Sequence, residues 1–268
     1  MTTLQTVLGV TSVAFVLACS SASHADPPAA AASSAGDFRY KKALTAGAKV
    51  EIRNVNGPIT AEPSSGDAFE VVAVKSGRGE DVARVQVTVR EDAGVIVVCA
   101  LLPGEDPSSC RVGGRIGSSE GSIDARVDFK VRVPAAVASF AARTMNGRIT
   151  ATGLRGEARL STMNGAVDVD AAGPTVATTM NGAVSARVAA GVAVRLETTN
   201  GAITLSLPAS AGADVDASTT AGTITSDFGS IPPPSVPGVM HAARFRVGAG
   251  GAAVTLRTTH GDVRVRRL

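Results

Sequence analysis

Tryptophan is absent from the 268 residues, tyrosine occurs once, and aromatic residues together make up only 3%. That scarcity excludes the stacking platforms on which single-stranded nucleic acid is held, and it leaves little for an aromatic-lined ligand pocket. Histidine occurs three times and cysteine three times. Charge of one sign is also lacking: the formal net charge is +3, too small to point to a nucleic-acid partner. No Lys, Arg, Asp or Glu precedes Asp26, and no apolar run beyond residue 25 approaches the length of a membrane-spanning helix. What is present is 44% hydrophobic residues against 18% charged, enough for a packed core. Twenty-nine glycines and 13 prolines, with abundant Ala, Val and Thr, predict many short strands and turns rather than helices.

The uncharged N-terminus reads as a targeting segment over residues 1–25. Val7 to Ala18 is a mostly apolar run of signal-peptide length, although the usual basic stretch ahead of it is missing. Two processing routes compete. Ser23-His24-Ala25 is a small-x-small cleavage site ahead of Asp26, and Val16-Leu17-Ala18-Cys19 resembles a lipobox in which Cys19 would be acylated. Residues 26–37, rich in Ala, Ser and Pro, read as a flexible tether. The expectation is an exported chain in the periplasm, at the cell surface or outside the cell, touching a membrane only through a lipid on Cys19. Cys99 and Cys110 are then an even pair in an oxidising compartment and are expected to form a disulfide.

An internal repeat dominates the rest. Thr-Met-Asn-Gly occurs at 144–147, 162–165 and 179–182, and related tetrads end at Gly201, Gly222 and Gly261. Asn54-Val55-Asn56-Gly57 is an earlier copy, and Glu120-Gly121-Ser122-Ile123 a weaker one. Asn146, Asn164, Asn181 and Asn200 are followed at the same position by Ala221 and His260. The spacings are 18, 17, 19, 21 and 39 residues. Two residues after each Gly stands Ile or Val: Ile59, Ile149, Val167, Val184, Ile203, Ile224 and Val263. Four residues before the Asn position stand Ala142, Leu160, Ala177, Leu196, Ala217 and Leu256, with polar residues between. This is period-2 patterning on both sides of a turn.

The unit is strand, Asn-Gly turn, strand. It would suit a meander of hairpins or a β-solenoid whose corners lie at Asn56-Gly57, Asn146-Gly147, Asn164-Gly165, Asn181-Gly182, Asn200-Gly201, Gly222 and Gly261. The near-constant period favours the solenoid, because stacked coils put like on like about 4.8 Å apart. Aliphatic residues then stack inside. The Thr two residues before each Asn position stacks at the corner, where its hydroxyl can bond to neighbours above and below. The expected fold is all-β, a single-stranded β-solenoid over 38–268. Residues 38–134 would form wider, irregular coils and 135–268 regular repeats. Arg264, Arg266 and Arg267 on the last strand would protect an open edge.

The copies NVNGPIT, TMNGRIT, TMNGAVD, TMNGAVS and TTNGAIT resemble the bacterial putative-adhesin domain family, exported β-solenoids of unknown function. The resemblance spans about residues 40–268. It implies a binding or structural role in the cell envelope, with no catalytic residues to carry over. The chain departs from the pattern at Ala221, at His260 and in the Pro-rich stretch after Phe228.

Candidate chemistry is sparse. Met145, Met163 and Met180 would form a thioether row, a soft-ligand set suited to Cu(I) but more simply an apolar stripe. Asp168 with Asp170, and Asp214 with Asp216, are carboxylate pairs on one strand face that could cleave a glycosidic bond or hold Ca²⁺. The simpler reading is solvated strand faces. His241 and His260 lack a nucleophile motif around them. Gly248, Gly250 and Gly251 read as a loop, not a phosphate cradle. Arg143, Arg148, Arg159, Arg187 and Arg195 are solubilising charge or a surface for acidic glycans, lipid headgroups or a protein. Residues 228–239 form the loop best placed for interaction. The reading is a non-enzymatic envelope protein with no cofactor or metal, whose partner is an envelope protein or glycan. A carbohydrate-active β-helix enzyme and a self-assembling scaffold stand as alternatives.

Overall fold

The computed structural model describes residues 37–115, 117, 123–231 and 240–268. The processing sites, Cys19, the tether up to residue 36 and Glu120-Gly121-Ser122 lie outside the described residues.

The chain enters through β1 (Phe38–Ala43), and its first coil is β2 (Ala48–Arg53) and β3 (Ile59–Pro63). Then come β4 (Ala68–Gly77), a short helix α1 (Gly79–Arg84) and β5 (Gln86–Asp92). β6 (Val95–Leu101) and β7 (Ala125–Val133) form a coil with a long corner. Regular coils follow: β8 (Val137–Asn146) with β9 (Ile149–Leu154), β10 (Glu157–Asn164) with β11 (Val167–Ala171), β12 (Thr175–Asn181) with β13 (Val184–Val188), and β14 (Val194–Asn200) with β15 (Ile203–Leu207). The chain ends through β16 (Ala213–Ala221), β17 (Ile224–Ser226), β18 (His241–Val247), β19 (Ala252–His260) and β20 (Val263–Arg267).

Each coil gives one strand to each of two ten-stranded sheets. The first runs β1-β4-β7-β3-β9-β11-β13-β15-β20-β17, and the second β18-β16-β19-β14-β12-β10-β8-β2-β6-β5. Between coils the pairing is parallel, which a hairpin meander cannot give; antiparallel pairing is confined to the ends. The sequence repeats become vertical rows. Ile59, Ile149, Val167, Val184 and Ile203 are successive register partners, all buried. In the second sheet Ala142, Leu160, Ala177 and Leu196 stack likewise, small against large, which lets two facing layers interdigitate.

The order of coils departs from the sequence at both ends. Val263 pairs with both Ile203 and Ile224, so β19 and β20 sit between the preceding two coils rather than after them. The 39-residue gap between corners therefore holds no missing coil. The chain skips a level, builds β16 and β17, returns through antiparallel β18, and fills the gap. In consequence Arg264, Arg266 and Arg267 lie on an interior strand and protect no edge. At the opposite end β2 and β3 lie inside the later coil of β6 and β7.

Candidate functional site

The corner is the most regular feature of the surface. Five Asn side chains form a ladder: Asn146 Nδ2 donates to Asn56 Oδ1, Asn164 to Asn146, Asn181 to Asn164 and Asn200 to Asn181, each at 2.8 Å. An amide both donates and accepts along one line, so each carboxamide satisfies the next. Exposed His260 follows Asn200 in the row and Ala221 ends it.

The buried Thr row behaves differently from the expectation of hydroxyls bonding to one another. Each hydroxyl donates to the corner glycine carbonyl of the adjacent coil: Thr162 to Gly147 at 3.0 Å, and Thr179 to Gly165, Thr198 to Gly182, Thr258 to Gly201 and Thr219 to Gly261 at 2.9 Å. In the first coil Asn54 replaces Thr and reaches the Val127 carbonyl at 2.7 Å. The glycines are required chiefly by close approach. A Cβ on Gly147 would lie 2.0 Å from the Gly57 carbonyl oxygen, and one on Gly165 2.1 Å from that of Gly147.

The loop after β6 covers one end of this corner. Cys99 and Cys110 are joined by a disulfide, with Cα atoms 5.8 Å apart. With Val97 and Leu101 they make a small apolar cluster on the outer face of the second sheet. Beneath the loop lies Arg53, 3% exposed. Its guanidinium donates to the carbonyls of Ser109 at 2.7 Å and Arg111 at 3.2 Å, and also to that of Arg115. Burial pulls its pKa below the ordinary arginine value. Glu51, equally buried, has Arg143 at 3.7 Å as its ion-pair partner. In AKVEIR the charges alternate with Val50 and Ile52 as they would on a solvated face, so the burial of Glu51 and Arg53 is not legible there. Gly117 lies over Val55 and Met145, so the loop half-buries Met145 and leaves Met163 and Met180 exposed. The three thioethers therefore share a row but not an environment.

Three of the four candidate carboxylates are bound to arginines. Asp168 meets Arg148 of the adjacent coil at 2.7 Å, and Asp170 stands in register with Arg187. Asp214 and Asp216 pair with Arg246 and Arg244 of β18, each at 3.1 Å. The Gly251 backbone N–H, with Arg246, holds Asp214 below the usual carboxylate range. Arg159 and Arg195 pair with Glu157 and Glu197 of their own strands. Gly248, Gly250 and Gly251 form the turn between β18 and β19. Buried His241 opens β18. Phe228 lies under the Arg267 guanidinium at 5.1 Å, and residues 232–239 of the proposed interaction loop lie outside the described residues. Among the described residues no group of three or more His, Cys, Asp or Glu side chains is arranged to hold a metal ion. No helix among them is long and apolar enough to cross a membrane.

A family model described as Toastrack DUF4097 matches residues 40–266. No curated protein matches the chain. Among solved structures it is similar to a putative cell adhesion protein from Clostridium sporogenes, at 11% identity and a TM-score of 0.44 over 87% of this chain and 100% of that one. It is also similar to a putative adhesin from Bacteroides fragilis, at 12% identity and a TM-score of 0.38 over 88% of this chain and 98% of that one.

Proposed function

The chain belongs to the Toastrack DUF4097 family, and on that premise we propose that it is a non-enzymatic, exported binding or structural domain of the cell envelope. Its working surface is the side of the solenoid, where two rigid sheets hold polar side chains in rows at one strand spacing. The observation that carries the reading is the neutralisation of three of the four candidate acids. A glycosidase needs one carboxyl with a raised pKa to protonate the leaving group. Here Asp168, Asp214 and Asp216 are each held by an arginine, and Asp214 is pushed the opposite way, down. Such faces suit reversible recognition of polar or charged envelope polymers, with affinity that falls as salt rises.

The test pairs binding with turnover. Purified mature chain is applied to a glycan array and to isolated envelope polysaccharide, and reducing-end release is followed on the same polymers. Retention without release supports the proposal. Release that disappears in Asp168→Asn or Asp214→Asn overturns it. Export is tested by mass spectrometry of the N-terminus from cells. A chain beginning at Asp26, or at an acylated Cys19, agrees with the proposal, and an intact Met1 contradicts it.

A further inference from the structure

Arginines on the outer face of the first sheet fall into two groups. Arg126, Arg132, Arg148 and Arg264 each hold a carboxylate within 2.9 Å. Arg187 on β13 and Arg266 on β20 make no ion pair and no side-chain hydrogen bond among the described residues, and both are exposed. Register sets these two around one serine. Arg187 pairs with Ser206 of β15, and Ser206 with Arg266, so the three share a row across the sheet. The arginine Cα atoms are then two strand spacings apart, about 9.6 Å. Asp170 stands in the same row on the other side of Arg187, and it too has no ion pair among the described residues. Asp227, which follows β17 beside β20, is occupied by the Arg267 backbone N–H.

The neighbouring row is Asp168, Ser185, Thr204 and Arg264. Its two charges are already taken, Asp168 by Arg148 and Arg264 by Asp262. Over β13 and β15 the two rows enclose a shallow depression of about 270 Å³, where the short side chains of Ser185, Thr204 and Ser206 lie among Thr152, Asp170 and Arg187.

The free groups define what this depression can hold. Each unpaired guanidinium presents a planar fork of donors that matches a carboxylate. With Asp170 counted, the row carries one net positive charge, which suits a monoanion. The three hydroxyls both donate and accept, and the Asp170 carboxylate accepts, so alcohol groups flanking the anion find partners as well. A sugar ring bearing a carboxylate has this complement of groups. Among the described residues lining the depression no large apolar side chain is exposed. Nothing there inserts into a lipid layer or forms the apolar anchor of a protein interface.

We propose that this row is the seat of a uronate unit in an acidic glycan. The carboxylate lies between Arg187 and Arg266 over Ser206, and the ring hydroxyls meet Asp170, Ser185 and Thr204. The inference rests on the binding role proposed above and narrows it to one face and one class of polymer.

Affinity electrophoresis of the mature chain in gels containing polygalacturonate tests it. Retardation should exceed that in the methyl-esterified polymer, which keeps the sugar and loses the charge, and should weaken as salt rises. Arg187→Gln and Arg266→Gln should each weaken the association about fivefold. Arg257→Gln is the control, because it removes an exposed, unpaired charge from the outer face of the second sheet. It should change the association less than about twofold. All three variants should keep the circular dichroism of the parent. Equal losses in the three variants would reduce the effect to net charge and overturn the proposal. A parent that binds the ester as tightly as the acid, or that binds other envelope polymers but not polygalacturonate, also overturns it and leaves the broader binding role standing. A parent retained by no polymer removes both.

Discussion

Replacing Gly147 by alanine separates two reasons for a corner glycine. Unlike Gly165, Gly182 and Gly201, Gly147 has no positive φ, so alanine meets no dihedral penalty there. Its Cβ would instead stand 2.0 Å from the Gly57 carbonyl oxygen, where ordinary contact begins at 3.4 Å. The adjacent coils would have to part by more than an ångström. Between them run the bonds from Gly57 N–H to the Asn146 carbonyl at 2.7 Å, from Ile59 N–H to the Arg148 carbonyl at 3.0 Å, and the Asn146–Asn56 amide bond at 2.8 Å. Overpacking costs about 1–3 kcal/mol, and each weakened hydrogen bond up to about 1 kcal/mol. Gly147→Ala should therefore cost about 3 kcal/mol, a large fraction of the stability of a typical domain. Gly66→Ala is the control. Gly66 has no positive φ, and a Cβ there meets nothing within 4 Å. It should change stability by less than about 1 kcal/mol, in the stabilising direction. Urea unfolding followed by circular dichroism reads both as a shift in midpoint at unchanged slope. If the two variants differ by less than about 1 kcal/mol, coil-on-coil contact is not what demands glycine at the corner.

Other expectations follow from the loop and the charges. Replacing both cysteines, Cys99→Ser with Cys110→Ser, removes a cross-link over a separation of 11 residues, worth about 3 kcal/mol in the chain-entropy account. It should also loosen the carbonyls that hold Arg53, so amide exchange at 109–115 should accelerate ahead of the core; unchanged exchange there would contradict the latch. Asp262 accepts from the N–H and hydroxyl of Thr223, lies beside Arg264, and is held below the ordinary aspartate range, the Thr223 bonds being the main cause. Stability from such a carboxylate is complete above the unfolded value of about 3.9 and is lost as pH falls through the lowered folded value. Melting temperatures should drop below about pH 4 and drop less steeply in Asp262→Asn; equal acid slopes in the two proteins would refute the assignment.

The coil itself was legible because its determinants are local. Period-2 alternation on both flanks of each Asn-Gly, repeated near-constantly, leaves stacking as the arrangement that puts Ile149 on Val167 on Val184. The order of coils was not legible. Every corner carries nearly the same tetrad, so the pattern fits β19 beside β14 as well as it would fit β16 there. The choice is made by the return through β18, an element outside the repeat. Arg53 was hidden for a related reason. Its burial is imposed by a loop more than fifty residues away in sequence, and only the cysteine pair hinted that the loop is held in place. The Thr row was found, but its acceptor was not. Threonines stacked at one spacing suggest bonds between hydroxyls, whereas the glycine corner leaves a carbonyl open in the adjacent coil, and that carbonyl accepts the hydroxyl's hydrogen bond instead.

Methyl–methyl nuclear Overhauser contacts along the inner row test the stacked coil and its altered order together. Val263 should show contacts to both Ile203 and Ile224, Val184 to Val167 and Ile203, and Ile203 should show none directly to Ile224. A direct Ile203–Ile224 contact would restore sequence order to the coils, and a row without successive contacts would remove the solenoid altogether.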